Sequence, residues 1–307
     1  MQRLVLLGLV LVSITAGGCA PFSRVVNWER HGVFHPQKYP IGDWEPTTVL
    51  VRDASFTAED GTRLHGWYVP NPEPKAHAVV LHGNAGNITI MADSLRLLNR
   101  KHGLSVLALD YRGFGKSEGT PSEEGILQDA RAARDWLAEK EGVDPQDIVL
   151  LGQSLGGAAA VDLAATDGCR GLVLVSTFTS LPELAQHHVW WMPMKLLMKM
   201  RLNSLEKIKQ YNGPLLLSHG QADEVIPFKQ GLALYEAAPG PKKMVTVKGG
   251  KHKDPQPEEY RQALDEFIAS LPPLKSDAAK AGSSVGAQSS GASPEGHLAW
   301  PVVDAAK

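Results

Sequence analysis

The chain has 307 residues, 43% of them hydrophobic and 21% charged, and its formal net charge at pH 7 is −2. This length is enough for one large domain with a sizeable core, and the composition is ordinary for a globular protein. A slightly acidic chain gives no electrostatic reason to bind phosphate backbones, so we do not expect nucleic acid as a partner.

The N-terminus has the features of a secretory signal, which we assign to residues 1–18. Arg3 precedes an apolar run over residues 4–12, and small residues follow. A basic start, a short apolar stretch and small residues are typical of exported chains. The run is shorter than the roughly 20 residues that a membrane-spanning helix needs.

Cys19 follows two glycines, which is where bacterial lipoprotein signals place the lipid-bearing cysteine. We therefore predict that Cys19 is lipidated and that the protein is an exported cell-envelope lipoprotein held at the membrane by this lipid. Ala20 rather than Asp comes next, which favours the bacterial outer membrane. Ala16 stands where such signals usually have Leu, so a soluble periplasmic or secreted product, cut near Ala16 or Ala20, is the alternative. Cys169 is the only other cysteine, and lipidation of Cys19 would leave it without a disulfide partner.

Three regions of different composition follow the signal. Residues 19–47 are rich in aromatic residues, Pro and Gly and lack a clear period, and we interpret them as an irregular lead-in. Residues 48–272 carry the periodic patterns of a folded domain. Ser, Gly and Ala make up 15 of the 22 residues over 275–296. Such a segment cannot offset the entropy of its own ordering, so residues 273–307 are predicted to be a disordered tail.

Within the domain, short apolar runs alternate with amphipathic ones. Val49–Phe56 and Arg63–Val69 alternate like half-buried strands around an Asp60-Gly61 turn. Six later runs are continuously apolar, as in strands buried on both faces of a parallel sheet: Ala78–Leu81, Ser105–Leu109, Ile148–Leu151, Leu172–Val175, Leu215–Leu217 and Met244–Val247. Helical patterns lie between them, over Ile90–Lys101, Glu123–Lys140, Ala158–Ala165, Gln230–Ala238 and Glu258–Ile268. This alternation predicts one α/β domain with a doubly wound, mostly parallel sheet.

The motif G-Q-S-L-G-G begins at Gly152, directly after a predicted strand and before the Ala-rich helix. A serine in this strand-turn-helix context lies on a sharp turn that exposes its hydroxyl. We predict that Ser154 is a nucleophile and that the N–H of Leu155 is one donor of an oxyanion hole. A plain Gly-rich turn is the alternative.

The loop H-G-N-A-G-N begins at His82, after an early strand. A Gly-bearing loop at this place supplies the second oxyanion donor in such sites, and we assign this donor to the N–H of Asn84. The loop can also cap the following helix. We expect His82 to be a structural residue that bonds the loop.

Two further loops provide an acid and a base. The segment S-H-G-Q-A-D-E from Ser218 follows a strand and contains Asp223, with Glu224 as its neighbouring rival. The segment G-G-K-H ends at His252 after the last strand. A serine hydroxyl needs an adjacent base, and the base needs a carboxylate that orients it. The chain order Ser154, Asp223, His252 is the order of α/β-hydrolase triads.

These motifs, with D-Y-R-G-F-G-K-S-E-G from Asp110, resemble one branch of the α/β-hydrolase superfamily over residues 49–269. That branch contains bacterial serine hydrolases and eukaryotic membrane-anchored depalmitoylases. The resemblance implies hydrolysis of esters or thioesters without a cofactor, and a small-molecule or lipid-like ester as substrate. The secretory start and the tail depart from the depalmitoylases, so their protein substrates are not carried over. We expect a monomer that holds no metal.

Two other functions stay open at this point. The same triad can cleave amides, which would make the protein a serine peptidase or aminopeptidase. A lipoprotein that uses a hydrolase fold only for binding is an alternative of another class, and the intact triad argues against it.

Residues 178–212 are predicted to form a short helical lid. An apolar cluster within it consists of Trp190, Trp191, Met192, Met194, Leu196, Leu197, Met198 and Met200. Over residues 195–209 there are five basic residues and one acidic residue. A cover over an acyl pocket, an interfacial helix and plain packing against the core all fit this pattern.

Overall fold

The computed structural model of the chain describes residues 28–274. The predicted signal peptide, Cys19 and residues 275–307 of the predicted tail lie outside these described residues. Over residues 28–274, no helix is both long enough and apolar enough to cross a membrane.

An eight-stranded sheet forms the centre of the fold. In chain order its strands are β1 (Arg52–Thr57), β2 (Arg63–Val69), β3 (Ala76–Leu81), β4 (Leu104–Asp110), β5 (Ile148–Gln153), β6 (Gly171–Val175), β7 (Leu215–Gly220) and β8 (Lys242–Val247). Their spatial order is β8-β7-β6-β5-β3-β4-β2-β1. β2 pairs antiparallel with β1 and with β4, and all other pairs are parallel. The predicted doubly wound, mostly parallel α/β fold is confirmed.

Over residues 37–274, eight α-helices and two short 3₁₀ turns connect or flank the strands of the central sheet. The helices are α1 (Ala92–Arg100), α2 (Glu123–Glu141), α3 (Leu155–Asp167), α4 (Leu181–His188), α5 (Met194–Leu197), α6 (Ser204–Ile208), α7 (Phe228–Ala237) and α8 (Glu258–Ala269), and the 3₁₀ turns are Ile88–Met91 and Pro145–Asp147. Capping residues mark the limits of the longest helix. The Ser122 hydroxyl accepts the N–H of Gly125 at the start of α2, and Gly142 ends it with φ 68°.

The core has two layers, one on each face of the sheet. In β5, Ile148 and Leu150 belong to one layer, whereas Val149 and Leu151 belong to the other. Helices α2 and α3 cover the first layer, and α1 and α8 cover the second. Because both faces are buried, the central strands are apolar at nearly every position, and the continuous runs in the sequence have this cause.

One helix boundary differs in a way that matters for the site. The Ala-rich pattern predicts a helix over Ala158–Ala165, but α3 begins at Leu155. Glycine is a poor helix former, so Gly156 and Gly157 hide this start in the sequence. The helix therefore begins at the residue that directly follows Ser154.

The link between β6 and β7 contains the three short helices α4, α5 and α6, and we call residues 176–214 the insert. The described part of the lead-in is helical over residues 28–33 and pairs at His35–Pro36 with Ala85–Gly86 as a two-residue parallel ladder.

Candidate active site

Ser154 occupies the turn between β5 and α3 in a strained conformation. Its φ of 53° and ψ of −116° lie in a region that side chains other than glycine rarely adopt. The neighbouring glycines allow the strand and the helix to approach closely. A Cβ at Gly152 would overlap the backbone of Gly156, and a Cβ at Gly156 would overlap the carbonyl group of Leu81. The sequence G-x-S-x-G thus follows from the geometry of this turn.

The backbone of Ser154 is held on both sides of the side chain. Its N–H donates to the carbonyl oxygen of Val175 at 3.0 Å, and its carbonyl oxygen accepts the Thr177 hydroxyl at 2.8 Å. The hydroxyl of Ser154 makes no hydrogen bond to any residue in the described range 28–274. The turn therefore fixes the serine while its oxygen stays available to attack a carbonyl carbon.

Asp223 and His252 form a hydrogen-bonded pair. Nδ1 of His252 lies 2.8 Å from Oδ2 of Asp223, and the Asp223 side chain is fully buried. The other carboxylate oxygen accepts the N–H groups of Val225 and Ile226 at 2.9 and 2.8 Å. This arrangement places the imidazole proton on Nδ1 and leaves Nε2 as the basic nitrogen.

The three predicted residues lie at the same end of the sheet, because Ser154, Asp223 and His252 follow the carboxyl ends of the parallel strands β5, β7 and β8. Within the described part of the chain, His252 and Ser154 do not hydrogen-bond to each other. Such bonds are often long until substrate binds. The rival Glu224 is 71% exposed, and its carboxylate lies 3.9 Å from Nζ of Lys251.

A second histidine, which the sequence did not mark, contacts Asp223. The ring of His219 in β7 is fully buried, with Nε2 at 2.9 Å from the carbonyl oxygen of Ile226 and at 3.4 Å from Oδ2 of Asp223. Burial by itself raises the pKa of Asp223, but hydrogen bonds from His219, His252 and the Ile226 N–H outweigh it and hold this pKa well below its ordinary value. The acid is therefore ionised at neutral pH. His219 is the first letter of H-G-x-x-D, and only the folded loop reveals its contact with the acid.

The loops that carry Asp223 and His252 are bonded to each other. The N–H of Ala222 donates to the carbonyl oxygen of Gly250 at 3.0 Å, and the Ser218 hydroxyl donates to Oε1 of Gln256 at 2.6 Å. The insert reaches the same place, since Nε2 of His188 lies 2.7 Å from the carbonyl oxygen of Val225.

The loop that carries the predicted oxyanion donor Asn84 lies beside Ser154. A Cβ at Gly83 would lie 3.6 Å from the Cβ of Ser154, so the loop after β3 packs directly against the nucleophile. Over the described residues, no carbonyl or side-chain oxygen accepts the backbone N–H of Asn84 or of Leu155. Two N–H groups without acceptors beside a serine can bind the charge that develops on a carbonyl oxygen.

The lead-in holds the Asn84 peptide from both sides. The side-chain amide of Asn84 donates to the carbonyl oxygen of Val33 at 2.9 Å, and the N–H of His35 donates to the carbonyl oxygen of Asn84 at 2.8 Å. The side chain of Asn87 also donates to the lead-in, at the carbonyl oxygen of Ile41, at 2.7 Å. The lead-in therefore contributes to the geometry of the site, a role that its irregular sequence did not indicate.

His82 supports this loop rather than the acid. Its Nδ1 lies 2.7 Å from the carbonyl oxygen of Gly83, and its ring packs against Tyr111 and Phe114. Burial lowers the pKa of His82, so the ring is neutral. Among residues 28–274, no three His, Cys, Asp or Glu side chains are grouped so that they could hold a metal ion.

Comparison with known proteins agrees with this architecture. Residues 72–210 match the model of a hydrolase family described as serine aminopeptidase, S33. The uncharacterized protein Rv2307c of Mycobacterium tuberculosis is 37% identical over 257 residues, which cover 83% of this chain and 90% of that protein. The uncharacterized protein YfhR of Escherichia coli is 36% identical over 241 residues, covering 73% of this chain and 83% of that protein.

Solved structures share the fold at low sequence identity. The esterase Pf2001 of Pyrococcus furiosus superposes with a TM-score of 0.64 at 22% identity, covering 78% of this chain and 98% of that one. Est1E of Butyrivibrio proteoclasticus, solved with ferulic acid, gives 0.59 at 22% identity, covering 71% and 99%. The acetyl xylan esterase of Paenibacillus sp. R4 gives 0.57 at 20% identity, covering 82% and 93%. The chain therefore belongs to one family with Rv2307c and YfhR and has the fold of the α/β-hydrolases, and its residues 72–210 match a family of hydrolases.

Proposed function

We propose that the chain is a serine hydrolase that cleaves carboxylic esters or thioesters through an acyl-enzyme on Ser154. The observation that carries this proposal is the 2.8 Å contact between Nδ1 of His252 and Oδ2 of Asp223, at the end of the sheet where the strained Ser154 lies. A buried carboxylate on Nδ1 of a histidine, with a serine at the same end of the sheet, is the set of groups that activates such a nucleophile.

The proposed reaction has two acyl transfers. The Ser154 oxygen attacks the carbonyl carbon while His252 Nε2 accepts the hydroxyl proton, and the Asp223 carboxylate stabilises the resulting imidazolium. The N–H groups of Asn84 and Leu155 bind the oxyanion of the tetrahedral intermediate. His252 then gives its proton to the leaving alcohol or thiol, and the acyl-enzyme remains. A water molecule repeats the sequence, with His252 as its base, and releases the carboxylic acid and Ser154.

Structural neighbours support the choice of an ester over an amide. Two of these proteins are esterases by name, and one of them is an acetyl xylan esterase. Their identity to this chain is 22% or less, so the likeness is one of fold.

A serine aminopeptidase is the second candidate, because the matched family model carries that description. The same residues would serve, with the difference that His252 must protonate an amine, which leaves less readily than an alcohol. Aminoacyl p-nitroanilides therefore belong in the same assay as the esters.

The experiment that tests the proposal is labelling with a fluorophosphonate probe, followed by a panel of p-nitrophenyl esters of increasing acyl length, acyl thioesters and aminoacyl p-nitroanilides. Wild type should be labelled and should hydrolyse esters. Ser154→Ala should lose both properties with an unchanged Tm, since the hydroxyl makes no hydrogen bond that stabilises the described fold. Labelling that survives in Ser154→Ala would refute the nucleophile, and turnover of anilides without esters would favour the peptidase.

We further propose that Cys19, outside the described residues, carries a lipid that holds the enzyme at the cell envelope. The support is the Gly-Gly-Cys sequence at the end of the apolar N-terminal segment. A lipid at this position would keep the enzyme close to lipid-borne esters.

A further inference from the structure

Residues 189–200 of the insert present two different faces. Their four methionines all contact the large core cluster: Met192, Met194, Met198 and Met200. The other large apolar side chains point to solvent, and their exposed fractions are high: Trp190 79%, Trp191 62%, Leu196 82% and Leu197 43%. The methionine half of the cluster is thus core, whereas the other half is a surface. We call Trp190, Trp191, Leu196 and Leu197 the tryptophan surface.

The concentration of these side chains requires an explanation. Ten large hydrophobic side chains are exposed among the described residues, and four of them lie within the eight residues 190–197. Single exposed hydrophobic residues are common, but a contiguous apolar surface marks a site of association with another apolar body. Water contact with two tryptophans and two leucines is costly, and association would remove it.

The charges around the tryptophan surface fit an anionic lipid bilayer. Residues 189–203 contain Lys195, Lys199 and Arg201 and no acidic residue. Lys195 forms an ion pair with Glu183 of α4, at 2.6 Å. Tryptophan beside lysine and arginine is the composition of segments that lie in the membrane interface, where the rings enter the headgroup layer and the cations remain at its edge.

The start of the described chain lies against the same segment. The carboxylate of the buried Glu29 accepts the backbone N–H groups of Lys199 and Met200 at 2.8 and 2.9 Å. Trp28, next to it, is a further large apolar side chain that is partly exposed. Cys19 stands nine positions before Trp28, and nine extended residues span at most about 30 Å. A lipid on Cys19 would therefore enter the bilayer within reach of the tryptophan surface.

We propose that the tryptophan surface docks the domain onto an anionic lipid bilayer, with Trp190 and Trp191 inserted among the headgroups and Lys195 and Lys199 at the rim. The insert is bonded to the loop of Asp223 through His188 and Val225. Docking would therefore hold the loop of Asp223 close to the membrane surface. The lipid proposed on Cys19 and the tryptophan surface would hold the domain at the same membrane.

The test uses the full chain with Cys19→Ser in every sample, so that a covalent lipid cannot contribute and the N-terminal apolar run is common to all. In these vesicle experiments, wild type means the chain with Cys19→Ser and no other change. Vesicles contain equal parts of phosphatidylglycerol and phosphatidylcholine, or phosphatidylcholine only. Sedimentation measures the fraction of protein bound to vesicles. Quenching of tryptophan fluorescence by brominated lipid measures insertion of the tryptophans into the bilayer. We expect Trp190→Ser/Trp191→Ser to weaken vesicle binding by about tenfold or more and to lose most of the quenching. Leu50→Ser, which removes a 78% exposed leucine that precedes β1, should change neither.

Several outcomes decide the matter. Binding of wild type should be stronger on the anionic vesicles and should weaken with added salt. A double variant with wild-type Tm, binding and quenching would overturn the proposal. So would a wild type that is dimeric in solution and becomes monomeric in the double variant, because the partner would then be a second copy. Ser154→Ala should bind vesicles as wild type does, so failure of docking and failure of the proposed catalysis remain distinguishable.

Discussion

Gly220 and Gly250 are in direct backbone contact, so a Cβ at Gly220 would overlap the carbonyl oxygen of Gly250. Gly220 ends β7 and Gly250 follows β8, so this contact closes the gap between two neighbouring loops. Asp223 lies three residues after the first glycine, and His252 lies two after the second. The 2.8 Å distance between Asp223 and His252 therefore depends on Gly220, three residues before the acid, having no side chain.

Gly220→Ala should separate the two loops. The added methyl group needs a backbone shift, which we expect to cost about 1–3 kcal/mol of unfolding free energy and to lower kcat by lengthening the Asp223–His252 bond. Urea denaturation and ester hydrolysis measure the two effects. Gly32→Ala is the matched control, because a Cβ there would meet no atom within 4 Å. Full activity in Gly220→Ala would show that the loops tolerate separation.

Asp223→Asn should reduce kcat by about 10⁴-fold, as loss of the orienting carboxylate does in the best-known triad, whereas Glu224→Gln should leave it within about twofold. The reason is that Asp223 is buried on Nδ1 of His252 while Glu224 is exposed. Steady-state hydrolysis of a p-nitrophenyl ester provides kcat and KM for both variants. The reverse pattern would mean that Glu224 is the acid.

The ionisation of Asp223 should make stability depend on pH on the acid side. Its pKa in the folded chain lies well below the ordinary value, so its contribution to the unfolding free energy is present above that ordinary value, near 4, and is lost as the pH falls through the folded pKa. The free energy of unfolding of wild type minus that of Asp223→Asn should be constant above about pH 5 and should fall below about pH 4. Chemical denaturation over a pH series measures this difference. A difference that does not change with pH would contradict the assigned hydrogen bonds.

Asn84→Ala keeps the proposed oxyanion N–H but removes the bond from the side chain to the Val33 carbonyl. We expect kcat to fall about tenfold to hundredfold with KM little changed, because a misplaced donor weakens only the transition state. Asn212→Ala, at an exposed asparagine, is the control. If kcat and KM both stay at wild-type values, the lead-in does not position this loop.

Cys19→Ser should abolish lipidation. Metabolic labelling with an alkynyl palmitate analogue should mark wild type and not the variant, and fractionation should place only wild type with the outer membrane. An unlabelled wild type that is cleaved at another site would make the protein a soluble exported enzyme.

The sequence predicted the order of the elements and the positions of the candidate site residues. The continuous apolar runs indicated strands buried on both faces, and the glycines around Ser154 marked a place where backbones approach closely. These are local consequences of residue type, so they can be inferred without knowing which segments meet. The sequence did not show which of the methionines and tryptophans over residues 190–200 are buried and which are exposed, because their spacing is compatible with either residue type facing the core.

The tertiary structure decided every relationship that joins distant segments. It placed Asp223 rather than Glu224 against His252, added His219 behind the acid, and bonded Val33 and His35 to the loop of Asn84. It also divided the insert into a methionine face in the core and a tryptophan face in solvent. The sequence of a loop does not say which of two adjacent side chains, such as Asp223 and Glu224, points inward. Packing against the rest of the fold decides this. For this reason candidate site residues could be proposed from the sequence, but the contacts that hold them in place could not.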